Sequence, residues 1–146
     1  MSTGADIVKR ALQKIGASSA MSEPSPESLA TGLEVLNGMI SSWTSQGINT
    51  GATPLNVLGD ELNEKQDCRN AIITNLAVLL SPDFDNGKNI VSPKLNSIAN
   101  REFATIKALY KEHHMPQKVV SSTLPRGQGN RRYGGTFFNE GEKLGS

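Results

Sequence analysis

The chain has 146 residues, 36% of them hydrophobic and 20% charged, with a formal net charge of +1. That length suits one domain around one core. The near-neutral balance excludes a whole-chain field that would draw the protein to nucleic acid or an anionic membrane. The charge is uneven, however. Residues 1–116 carry ten Lys/Arg against twelve Asp/Glu, a net of −2, whereas residues 117–146 carry five against two, a net of +3. Cys68 is the only cysteine, so no intrachain disulfide forms, which fits a reducing compartment. No stretch reaches the roughly 18 apolar residues needed to span a bilayer, and no membrane partner is expected.

The first helix is expected from Thr3, its N-cap. Ile7, Val8, Ala11, Leu12 and Ile15 form one stripe, and Gly16 falls where a left-handed residue closes a helix. This periodicity is that of an amphipathic helix and not of a signal peptide. A polar loop then leads to Ser25-Pro26, an N-cap followed by proline at the first helical position, where the missing N–H costs nothing. Leu29, Leu33, Leu36, Ile40 and Trp43 follow as the second stripe, and Gly47 ends it. Trp43 continues this stripe and is expected in the core.

Residues 48–62 read as a turn-rich connection, with an extended stretch around Leu55–Leu58. The third helix is expected to begin near Asn63, with Glu64 and Asp67 in its first turn, where the helix dipole favours acids. Cys68, Ile72, Leu76, Leu79 and Leu80 face inward, and Ser81-Pro82 stops the helix. A buried, inert Cys68 thiol follows from that position. Ser92-Pro93 opens the fourth helix. Its stripe is Leu95, Ala99, Phe103, Ile106 and Tyr110, and Pro116 marks its limit. The fold class is therefore all-α: a four-helix, antiparallel, bundle-like body over residues 1–116. Residues 117–146 have no periodicity and six glycines between 121 and 146, so an extended, non-regular Gly/Arg-rich arm is expected there. Leu124, Tyr133, Phe137 and Phe138 are apolar anchors spaced along that basic segment.

No motif in the sequence assembles a reactive site. Asp83, Asp85 and Gly87 suggest a calcium loop, but the glycine comes one place early and Lys94 stands where the bidentate Glu belongs. His113-His114 are adjacent and point apart on a helix, so they do not form the i, i+4 pair that holds zinc. Gly127-Gln128-Gly129 lacks the third glycine and the strand–helix setting of a nucleotide loop. Glu23, Glu27 and Glu34 read as solvated acids rather than glycosidase carboxylates. No catalytic, metal or cofactor site is expected.

The order of these pieces resembles the head-to-tail adaptor family of short-tailed phages, also called tail accessory factors or packaged-DNA stabilisation proteins. The resemblance covers most of the chain. Asp6 through Gly16 looks like the family's first helix with its closing glycine. Leu36-Asn37-Gly38-Met39-Ile40, followed by Trp43 and Gly47-Ile48, looks like the second. Asn75-Leu76-Ala77, followed by Ser81-Pro82-Asp83-Phe84, looks like the end of the third helix and its turn. Leu124-Pro125-Arg126-Gly127-Gln128-Gly129-Asn130 looks like a Gly-rich element of the family's C-terminal arm.

The resemblance implies a structural virion protein that forms a dodecameric ring at the head-to-tail junction, made in the host cytoplasm. Its implied partners are the portal ring, adjacent copies, a downstream tail protein and packaged DNA, the last without sequence specificity. Portal-binding residues would be Leu124, Arg126, Arg131, Arg132, Tyr133, Phe137 and Phe138. Two other classes remain open at this point. One is a small helical nucleic-acid-binding protein acting through its arm, in which Arg126, Arg131, Arg132 and Tyr133 stand among glycines. The other is an enzyme such as a cell-wall hydrolase.

Overall fold

A computed structural model of the chain describes residues 2–84 and 91–112. The described residues form an all-α, bundle-like body of four helices: α1 (Gly4–Lys14), α2 (Pro26–Ser45), α3 (Gln66–Phe84) and α4 (Pro93–Tyr110). The helix starts follow from local hydrogen bonding. Thr3 and Asp6 form a reciprocal capping box on α1, and Ser25 and Ser92 cap α2 and α4 directly before their prolines. Gly16 and Gly47 both take positive φ just beyond α1 and α2, where a side chain would be strained.

Helix α3 is the centre of the body. Cys68, Ala71, Ile72, Ile73, Thr74, Leu76, Ala77 and Leu80 are all buried, so nearly its whole circumference is covered. Helices α1 and α2 pack on it and on each other, and α4 packs on it from another side. Helices α3 and α4 are antiparallel. Tyr110 donates to Asp67 at 3.0 Å at one end, and Asn75 donates to the Ala99 carbonyl at 3.1 Å further along. Helices α1 and α3 begin at the same end, where Thr3 pairs with Glu61 and the Ser2 hydroxyl donates to Glu64.

Several boundaries differ from the sequence expectation. Helix α3 starts at Gln66 and not near Asn63, because residues 63–65 make a corner. Asn63 is left-handed at φ 57°, and the Lys65 N–H bonds to the Thr50 carbonyl at 2.9 Å. Glu64 is accordingly not a first-turn acid in solvent. Ser81-Pro82 does not stop α3, which runs on to Phe84. Proline this close to the end removes a single N–H from the last turns, a smaller loss than in mid-helix. Helix α4 ends at Tyr110 and not near Pro116. Lys111 turns extended to pair with Ile48, and the Glu112 N–H bonds to the Gly47 carbonyl at 2.8 Å.

The connection at 48–62 contains no strand, and it belongs to the core. Ile48, Ala52, Leu55 and Leu62 are buried. Asn37 on α2 clamps it, donating to the Leu55 carbonyl and accepting from the Leu55 N–H, each at 2.8 Å. Both backbone groups of a buried residue are thereby satisfied without a sheet.

The Glu64 side chain has no solvent exposure. It accepts from the Ser2 hydroxyl and from Arg69 Nε at 2.8 Å. Burial is the largest influence on its acidity and acts to raise its pKa. The bonds from Ser2, Arg69 and its own backbone N–H, with the Arg69 charge, outweigh burial and hold the pKa below the ordinary 4.5. A carboxyl whose pKa is lowered by folding contributes stability above its unfolded pKa and loses it as pH falls through the folded value. Glu64→Gln should therefore cost about 1–3 kcal/mol at neutral pH. It should also flatten the fall in stability below pH 4.5. Urea denaturation across that range measures both, and an unchanged acid slope would contradict the assignment.

Close contact between α1 and α2 rests on Gly32. A Cβ there would collide with Val8, whereas one at Gly38 would meet nothing. Gly32→Ala is expected to destabilise by about 1–3 kcal/mol through overpacking. Gly38→Ala should stabilise by about 1 kcal/mol through helix propensity alone. Equal effects of the two substitutions in chemical denaturation would refute the tight crossing.

Candidate functional site

The residues expected to bind a partner, Leu124, Arg126, Arg131, Arg132, Tyr133, Phe137 and Phe138, lie outside the described residues, as do Asp85, Gly87, His113 and His114. Glu23 is a surface acid paired with Lys9 at 2.8 Å, and Glu27 and Glu34 are exposed on α2. Asp83 is exposed at the end of α3. Cys68 is buried and unbonded, and burial pushes its thiol pKa up, away from the reactive thiolate. Among the described residues no three His, Cys, Asp or Glu side chains converge as a metal site, and no helix is long and apolar enough to cross a membrane.

An apolar groove of about 560 Å³ lies over α3, with α2 and α4 as its walls. Val35, Met39 and Trp43 line it from α2, Val78 and Leu79 from α3, and Phe103 from α4. Trp43 and Phe103 close on each other across it, ring centroids 5.2 Å apart and planes tilted by 42°. That geometry lies in the favourable range for an aromatic pair. Asn75 fixes the floor, donating to the Ala71 carbonyl at 2.8 Å and to Ala99 across the helix pair.

Leu79 departs from the sequence expectation of an inward-facing residue. It is 48% exposed on the rim of the groove. Its neighbour Leu80 takes the inward position, since successive helical residues point about 100° apart. The periodic stripe does not identify this groove. Val35 and Met39 lie off the Leu29-to-Trp43 seam, and that widened apolar arc on α2 is the one sequence signal that points to it.

A second concavity lies between α1 and α3. Arg10, Gln13 and Lys14 line it from α1, and Asn70 and Ile73 from α3. Its lining is polar and cationic and contains no carboxylate.

No family model matches the chain, and the comparison with curated proteins gives no match.

Trp43 is 6% exposed, which agrees with a core position, and it also walls the groove. Trp43→Ala should cost about 3–5 kcal/mol. Leu79→Gln, at an exposed rim position, should change stability by no more than about 0.5 kcal/mol. Thermal melts of the two variants measure the contrast. A Trp43→Ala protein as stable as the parent would show that the indole contributes nothing to the core.

Proposed function

We propose that this chain is a structural virion protein whose copies form a ring joining the portal to the tail, extending the DNA channel and helping to retain packaged DNA. The observation that carries this reading is the groove bounded by Trp43, Leu79 and Phe103 on a rigid helical body. The apolar surface it exposes is small, and a neighbouring copy packed against Leu79 would extend it into an interface. A subunit in a closed ring covers it with its neighbour. The resemblance in motif order along the chain supports the same reading.

In this proposal the arm, residues 117–138, attaches each copy to the portal. Leu124, Tyr133, Phe137 and Phe138 enter apolar pockets there, and Arg126, Arg131 and Arg132 meet carboxylates, which a guanidinium binds through two parallel hydrogen bonds. One arm binds weakly, and the ring binds strongly through multivalency.

Truncation after Pro116 is the direct test. The truncated protein should keep its helical circular dichroism and fail to co-sediment with portal rings. Binding at full strength would remove the arm as the anchor. If the full chain instead ignores portal rings and binds DNA in a salt-dependent way that the truncation abolishes, the nucleic-acid-binding reading replaces this one.

A further inference from the structure

We propose that the cleft between α1 and α3 is a phosphate-binding site, and that its physiological source is the DNA backbone. The DNA assignment rests on the ring reading above, whereas the phosphate assignment does not.

The cleft is an open depression of about 400 Å³, and Arg10 and Lys14 are both exposed. Arg10 and Lys14 are one turn apart on α1, so both cations stand on the same side of that helix. Gln13 from α1 and Asn70 from α3 add carboxamide N–H donors, and the buried Ile73 forms an apolar base. Lys9, Arg69 and Arg101 are engaged with Glu23, Glu64 and Glu102, whereas among the described residues Arg10 and Lys14, like Lys94 and Lys107 on α4, are not. Neither Arg10 nor Lys14 pairs with a carboxylate among the described residues. Two positive charges and two amide donors with no competing acid select an oxyanion, and a guanidinium fork beside an ammonium suits phosphate.

One feature of the site opposes an anion. Lys14 lies at the C-terminal end of α1, where the helix dipole places about half a negative charge. Two full positive charges exceed it. Part of that negative end is also consumed locally, because the Gly16 N–H bonds to the Gln13 carbonyl and the Ala17 N–H to the Leu12 carbonyl. A duplex phosphate needs no deeper burial than this, since backbone contacts position DNA without reading its sequence.

The test compares two double variants of the full chain. Arg10→Gln/Lys14→Gln removes the cleft charges. Lys94→Gln/Lys107→Gln removes two exposed charges from α4 and serves as the control for net charge. Fluorescence anisotropy of a short labelled DNA duplex, repeated across salt concentrations, reads affinity, and calorimetry with inorganic phosphate reads the free anion. The cleft variant should bind the duplex roughly tenfold more weakly, and its salt slope should fall by about two, one for each phosphate that is no longer neutralised. The control should change less than about threefold. Equal losses in both variants would overturn the site, because affinity would then follow net charge. Binding of inorganic phosphate that the cleft variant abolishes, without duplex binding, would keep the phosphate site and overturn DNA as its source. Binding of neither probe would overturn both. Portal co-sedimentation of the parent and the cleft variant separates this from the ring reading. If the parent fails to bind portal rings, the ring reading falls while the phosphate result stands on its own.

Discussion

Burial of α3 on nearly every side is the constraint from which the rest of the packing follows. A helix covered all round needs partners on more than one face. Helices α1 and α2 supply one side and α4 another. Polar groups carried into that position must be satisfied locally. The Thr74 hydroxyl bonds to the Asn70 carbonyl at 2.9 Å, and Asn75 reaches both its own helix and α4. Ala71 and Ala77 are buried with little side chain to accommodate, which lets neighbouring helices come close. The same arrangement leaves the α2–α4 gap, because both helices pack on α3 and Trp43 and Phe103 meet across it.

Much of this fold was legible in the sequence, and for identifiable reasons. Capping is local chemistry, so Thr3, Ser25-Pro26 and Ser92-Pro93 announced three helix starts, and Gly16 and Gly47 announced two ends. The apolar stripe of α1 is buried residue for residue. What was not legible depends on residues distant in the chain. The corner at Asn63 exists because Lys65 bonds to Thr50 and Glu64 turns in toward Ser2, a residue 62 positions away. Helix α4 stops early because Lys111 finds Ile48. The connection at 48–62 joins the core through Asn37, whose clamp leaves no periodic trace. The groove was hidden for the same reason, since three helices each contribute a part of it.

The two concavities lie on roughly opposite sides of α3. Asn75 and Leu79 line the groove, Asn70 and Ile73 line the cleft, and the helical step of about 100° sets the pairs nearly half a turn apart. One surface is apolar and the other cationic, with the central helix between them. A body of this kind can contact a protein neighbour on one side and a polyanion on the other without either contact disturbing the other.

The order of synthesis gives the Ser2–Glu64 contact a further meaning. Helix α1 emerges first, yet the helix it packs on begins at Gln66. At translation rates of about 5–20 residues per second, the 62 positions from Ser2 to Glu64 take roughly 3–12 s to make. During that interval the stripe of Ile7, Leu12 and Ile15 lacks α3, and only α2 and the connection at 48–62 are made before it. The α1–α2 pair, locked by Gly32 against Val8, is thus the first of the body's helix pairs to be made. Its exposed stripe persists until Leu76 and Leu80 leave the ribosome, so the central helix completes the core of a protein whose first half has waited for it.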